Sequence, residues 1–186
     1  MSKTQSSNIK EGAVMRKSTV FALAVTFLWV LGGHTVWAQK YDDKEHAELA
    51  KALKGVKLSL EKGLSASESQ GKPISAKFEM EDGKLQLSVY TMKGDKFAEV
   101  IVDHKTGKTA KTEAITGGDD LAAAKAQSGA MAKAKVSLRN ATEKVVKANK
   151  GFRAVSVTPS VKDGHPVADI DLVKGDEFKT VSEKLD

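Results

Sequence analysis

The sequence contains no cysteine. That absence excludes disulfides, thiolate nucleophiles and cysteine-bound zinc or iron–sulfur sites together. Long apolar runs are missing too: the most hydrophobic stretch, residues 20–31, stops at Gly32-Gly33-His34, well short of the roughly 20 residues a spanning helix needs. From residue 39 on, lysines are scattered among nearly as many acids, so no stripe of basic and aromatic residues is available to neutralise phosphates, and nucleic-acid binding is not expected. His46, His104 and His165 show no metal-ligand spacing, and no Gly-x-Ser-x-Gly elbow is present. Serines such as Ser59 and Ser137 fall within predicted helices rather than at a nucleophile position. Together these absences predict a chain that is not an enzyme and carries no cofactor or metal.

What is present begins with an address. Met15-Arg16-Lys17 puts positive charge directly before the 20–31 apolar run, and Val36-Trp37-Ala38 offers a cleavage site, so residues 1–38 read as a signal peptide with the break after Ala38. Translation starting at Met1 or at Met15 fits this reading equally. No cysteine follows the break, so no lipid anchor is expected, and the mature chain should be periplasmic or secreted with no membrane span. Of the formal net charge of +6, Lys3, Lys10, Arg16 and Lys17 against Glu11 place +3 in this segment, leaving +3 for the remainder. The working protein is therefore only mildly basic.

The remainder repeats itself. Ser59-Leu60 recurs as Ser137-Leu138, Asp82-Gly83 as Asp163-Gly164, and Lys93-Gly94-Asp95-Lys96-Phe97 as Lys174-Gly175-Asp176-Glu177-Phe178, with Val100 followed by Val181 in the same order. The offset is 78 residues at first and 81 later. Matching Ile74-Ser75-Ala76 to Phe152-Arg153-Ala154 puts the three-residue insertion in a loop containing Pro159 and Asp163-Gly164. Collinear matches of this kind predict a duplication, with one module at 39–116 and a second at 117–186.

Both copies carry the same pattern. Leu49, Leu53, Val56, Leu60 and Leu64 recur three or four apart and predict one helix over 43–64, weakened or divided by Gly55 and Gly63. Ile74, Ala76, Phe78 and Met80 alternate with Ser75, Lys77, Glu79 and Glu81, the period of a strand with one wet face. Asp82-Gly83 supplies a tight turn to a return strand carrying Leu85, Leu87 and Val89. Strands over 97–102 and, more weakly, 108–115 complete a meander. In the second copy, Gly117-Gly118-Asp119-Asp120 opens a helical stretch over 121–149, with Ser128-Gly129 as a candidate break and Leu138, Ala141, Val145 and Ala148 on one face. Strands over 152–157 and 167–172 follow, with Ala168, Ile170 and Leu172 inward and Asp169 and Asp171 outward. A fourth strand is not expected in this copy. At roughly 75 residues each half would have a marginal core, so sheets or helices of the two should pack together. The fold class is α+β: two tandem modules, each a helix facing an antiparallel meander.

The segment Val100-Ile101-Val102-Asp103-His104-Lys105-Thr106-Gly107-Lys108, preceded by hairpin strands and a helix, resembles the PepSY domain family. The resemblance covers about 56–115 in the first copy and reaches the second, about 136–186, only through the duplication. Asp103 and Gly107 carry the family's turn, Gly107 for its backbone freedom and Asp103 as its cap. What the resemblance implies is an extracytoplasmic, non-catalytic module that binds or restrains peptidases and envelope proteins. A protein or peptide partner is accordingly expected, docked by strand addition at an open sheet edge, especially in the second copy. Tyr90 and Met92, where the alternation slips, are the candidate apolar contacts for a partner. The competing expectation is a small-ligand or cation-binding envelope protein using the paired carboxylates Asp169 and Asp171, or Glu79 and Glu81. A wet strand face accounts for those pairs more simply.

Overall fold

The structure, a computed structural model, describes residues 43–186; the signal peptide read at 1–38 lies outside the described residues. Along the chain come α1 (Asp43–Leu53), α2 (Leu60–Ser67), β1 (Lys72–Glu81), β2 (Lys84–Lys93), β3 (Lys96–Val102) and β4 (Thr109–Ile115), then α3 (Gly118–Lys133), α4 (Leu138–Ala148), β5 (Arg153–Lys162), β6 (His165–Lys174) and β7 (Glu177–Lys184). All seven strands join one antiparallel sheet in the order β4-β3-β2-β1-β5-β6-β7. The two halves thus meet edge to edge, through the β1·β5 pair, and not as two stacked sheets.

The predicted first helix is two helices. Gly55 takes φ +85°, a conformation that strains any residue with a Cβ, and the chain turns there. Leu49 and Leu53 therefore pack on one face of the sheet while Leu60 and Leu64 pack on the other, although their spacing suits one continuous helix. The second helical stretch is divided likewise, at 134–137 and not at Ser128-Gly129, which stays inside α3. Ser59 and Ser137 are not interior helix residues. Each is the N-cap of its second helix, accepting from the backbone N–H of Lys62 at 3.4 Å and of Asn140 at 3.2 Å. Ala148, expected inward, is exposed, and buried Thr142 takes part in that face by donating its hydroxyl to the Leu138 carbonyl.

Strand alternation sorts the sheet's two faces. Ala76, Phe78, Leu87, Val89, Val100, Val102, Val157, Ile170 and Leu172 share one face and form its core. Helices α2 and α4 cover it and pack against each other. Gly63 of α2 shows how closely: a Cβ there would run into the Leu87 side chain, whose Cγ lies 3.2 Å away. With Leu87 fully buried, Gly63→Ala is expected to cost about 1–3 kcal/mol by overpacking, read as a lowered urea midpoint at unchanged slope. The opposite face carries Ser75, Lys77, Glu79, Ser88, Tyr90, Ser156, Asp169 and Asp171. There α3 lies across β5, β1 and β6, with Gln127 accepting the Ser75 hydroxyl at 2.8 Å and Ser128 donating to Met92 Sδ at 2.8 Å. Helix α1 shares that face, its His46 ring stacked on Phe178 of β7 at 4.0 Å.

The same devices recur in both halves. Asp82-Gly83 and Asp163-Gly164 turn their hairpins with positive φ at both residues, as a type I′ turn requires. A bulge follows the start of β1 between Pro73 and Ser75, and of β5 between Ala154 and Ser156. These bulges correct the alignment of the halves: Ile74-Ser75-Ala76 corresponds to Val155-Ser156-Val157, already at the later offset. The three extra residues lie in α4, which has 11 residues where α2 has 8. Three residues add nearly one helical turn, which keeps the buried face in place. Pro159 sits within β5, just beyond the stretch where β5 pairs with β1 (Ala76↔Val157, Lys77↔Ser156), so its missing N–H breaks no ladder bond to that neighbour.

Candidate functional site: the sheet margins and the polar face

β7 is one margin of the sheet. Its inner edge pairs with β6 over Val167↔Lys184 to Lys174↔Glu177, and its outer edge pairs with no strand of the described residues. Helices reach this margin on both faces. On one, Lys144 of α4 meets Glu183 at 2.5 Å, and Lys179 donates to Asn149 at 2.8 Å with its ammonium 4.0 Å from the centre of the Phe152 ring. On the other, α1 places His46 against Phe178. An extended segment laid along β7 would find backbone partners in the strand and flanking walls from two helices. Sequence reasoning anticipated the open edge but not its walls, because His46 and Lys144 lie at least 33 residues from the strand they flank.

β4 is the other margin, and its residues Thr109 to Ala114 are all exposed. Beside it, on the α2 face, a shallow open concavity of about 550 Å3 is floored by Thr91, Ala98, Thr112 and Ala114 and rimmed by Gln70, Lys93 and Lys96.

The residues singled out from sequence fall in three places. Tyr90 and Met92 both point to the α3 face and are partly buried. Met92 accepts the Ser128 hydroxyl, and Tyr90 has the Lys77 ammonium 6.0 Å from its ring centre. Burial, together with Glu99, Glu79, Asp120 and Glu81 nearby, pushes the Tyr90 phenol well above its ordinary value, so it stays a neutral donor. Asp103 and Gly107 form the β3–β4 turn. The Asp103 carboxylate accepts from the N–H groups of Lys105 and Thr106 at 2.8 Å each, Gly107 N–H donates to the Asp103 carbonyl at 2.7 Å, and Gly107 takes φ +73°. Those backbone donors hold the Asp103 carboxyl below its ordinary value. The turn rests on Leu58, 3.2 Å from a Cβ position at Gly107. These two residues are far from Tyr90 and Met92 in role: they shape the chain and present no ligand.

The paired carboxylates are engaged. Asp171 accepts hydroxyls from Ser156 and Thr180 at 2.6 Å each, and Asp169 takes the Lys162 ammonium at 2.8 Å together with the Ser182 hydroxyl. Glu79 pairs with Lys77 at 2.6 Å and accepts from Ser88 at 2.7 Å, whereas Glu81 is exposed at the hairpin end. Among the described residues, no group of three or more His, Asp or Glu is placed to hold a metal ion. His165 pairs with Asp186 at 2.6 Å, which lowers the Asp186 carboxyl.

Sequence reading missed Glu99, which shares this face with Glu79. Burial pushes its carboxyl up, with a hydrogen bond to Ser88 acting the other way. A raised pKa means the folded chain binds that proton more tightly than the unfolded one. The stability from this group is therefore complete below the ordinary value of 4.5 and is lost as pH rises through the higher folded value. Glu99→Gln is expected to flatten the fall in melting temperature above pH 4.5 and to leave the melting temperature at neutral pH equal or higher. A pH series of thermal melts for the two proteins checks this.

Neither a protein-family model, nor a curated protein, nor a solved structure matches this chain.

Proposed function

We propose that the chain is an exported, non-catalytic binding protein built from two tandem PepSY-like modules, 39–116 and 117–186, that takes a protein or peptide partner by strand addition along β7. The matching caps, bulges and turns of the two halves support the duplication, and the Asp103-to-Gly107 turn supports the family likeness. The observation that carries the binding reading is the β7 margin itself: a strand edge that pairs with no strand of the described residues, walled by α4 at Lys144–Glu183 and by α1 at His46–Phe178. Main-chain hydrogen bonds would supply affinity there, and the walls specificity. A peptidase or another envelope protein is the partner class, with the periplasm as the site of action. Three of the four carboxylates that a cation carrier would use, Asp169, Asp171 and Glu79, already have hydroxyl or ammonium partners, which favours the protein partner over the small-ligand reading.

The test immobilises residues 39–186, passes an envelope extract over them, and measures peptidase activity before and after. Amide exchange of the complex with any retained protein follows. Slowed exchange in β7 is the expected result. If nothing is retained and peptidase activity is unchanged, the binding reading fails. If a protein is retained but protects other segments only, the β7 mode fails.

A further inference from the structure

The second margin, β4, carries a charge pattern complementary to itself in antiparallel register, and its two charged residues pair with each other instead of with a helix, as Lys179 and Glu183 of β7 do. Its middle residue is Thr112, flanked by Lys111 and Glu113, which lie on the same face of the strand. The two form an ion pair within the strand at 2.7 Å, with side chains 62% and 51% exposed. So exposed a pair contributes little to the stability of a single chain, and re-pairing it costs correspondingly little. Consider two copies of β4 antiparallel about a two-fold axis through Thr112. The residues of each strand then oppose one another about Thr112, with Ala110 at the bulge that β4 makes against β3 between Thr109 and Lys111. Lys111 faces Glu113 of the second copy twice over, Thr112 faces Thr112, and Ala110 faces Ala114. Moving the axis by one residue either way opposes Lys111 to Lys111 or Glu113 to Glu113 and leaves the strand ends unpaired. The register centred on Thr112 is thus the one with matched charge. Opposite charges and threonine pairs directly across strands are both favourable, and an isologous contact of this kind closes on itself as a dimer.

We propose that β4 pairs with β4 of a second copy, joining two seven-stranded sheets into one. The β7 margin is a poorer candidate for self-pairing, since Glu183 and Lys179 are already held by Lys144 and Asn149. β4 has exposed side chains on both faces, so a second strand meets no obstacle among the described residues. The proposal is independent of what docks at β7.

The test is sedimentation equilibrium of residues 39–186 over a concentration series. With only one strand per copy at the interface, dissociation is expected on the order of tens to hundreds of micromolar. Lys111→Glu opposes glutamate to glutamate, and Glu113→Lys opposes lysine to lysine. Each variant is expected to weaken self-association roughly tenfold to thirtyfold with an unchanged melting temperature. An equimolar mixture of the two variants restores both opposite-charge pairs and is expected to dimerise as the wild type does. So is the double variant Lys111→Glu, Glu113→Lys. Wild type that remains monomeric at about 1 mM overturns the proposal. So does a dimer indifferent to the single charge reversals, or variants that fail to complement one another.

Discussion

Leu185→Ala is expected to lower the free energy of unfolding by about 2–5 kcal/mol. The Leu185 side chain is fully buried in the common core, and its backbone ties together two distant segments. Its N–H donates to the Pro166 carbonyl at 2.9 Å, at the start of β6, and its carbonyl accepts from Lys135 at 2.7 Å and Val136 at 3.0 Å, in the connection between α3 and α4. Alanine keeps those three hydrogen bonds and removes the apolar volume, so the cost measures the cavity alone. Deleting residues 185 and 186 also leaves the Lys135 and Val136 N–H groups without their acceptor, and is expected to cost more than the alanine substitution. Asp186→Asn disturbs only the exposed pairing with His165 and serves as the control. Urea unfolding followed by circular dichroism and fluorescence gives all three values. A loss below about 1 kcal/mol for Leu185→Ala would mean that the residue is not a core element.

Arg153→Met is expected to cost about 2–4 kcal/mol. The two terminal nitrogens of Arg153 donate to the carbonyls of Val56 and Leu58, each at 2.7 Å, and its guanidinium lies 5.4 Å from the centre of the Phe78 ring. Burial pushes the guanidinium's pKa down. Methionine preserves much of the side chain's bulk and leaves two carbonyls of the α1–α2 connection without their donor. Arg153→Lys should fall between wild type and methionine, because an ammonium lacks the planar fork that reaches both acceptors. Lys72 occupies the corresponding position in the other half and donates to the Met131 carbonyl at 3.3 Å, at the end of α3. Lys72→Met is accordingly expected to be milder, near 1 kcal/mol. Each of these cations belongs to one half and binds backbone carbonyls of the other, Arg153 in the α1–α2 connection and Lys72 in the last turn of α3. Amide exchange should therefore accelerate locally in 54–59 for Arg153→Met and near residue 131 for Lys72→Met.

Local structure was largely legible in the residues. Alternation placed β1, β2 and β6, Asp-Gly pairs placed two hairpins, and the inward Ala168, Ile170 and Leu172 lie where the pattern put them. What escaped sequence reading was non-local. Leu49, Leu53, Leu60 and Leu64 keep helical spacing across a break, so periodicity cannot show that the two pairs lie on opposite faces of the sheet; only the positive φ of Gly55 separates them. The insertion was misplaced because Pro159 suggested a loop, whereas β5 accepts a proline where β1 no longer pairs with it. Ser75, Lys77 and Glu79 read as a wet face, yet α3 partly covers it, since Gln127 and Ser128 offer polar partners to the strands beneath. At the margins, the open edges followed from the strand count, but the helices flanking β7 could not be inferred from residues so distant in the chain.

The β1·β5 seam shapes how the molecule reaches this architecture. Every other strand pair joins neighbours in the chain through a turn or short connection and can zip up on its own, whereas the seam brings together residues about 80 positions apart. Closing so long a loop carries the largest entropic penalty of any strand pairing in the fold, and it is recovered only once both hairpins already present formed edges. Docking of the halves is therefore expected to be the late, slow event of refolding. Until it happens, each half exposes an uncapped central strand, and crowded refolding conditions invite the halves of different molecules to join in its place.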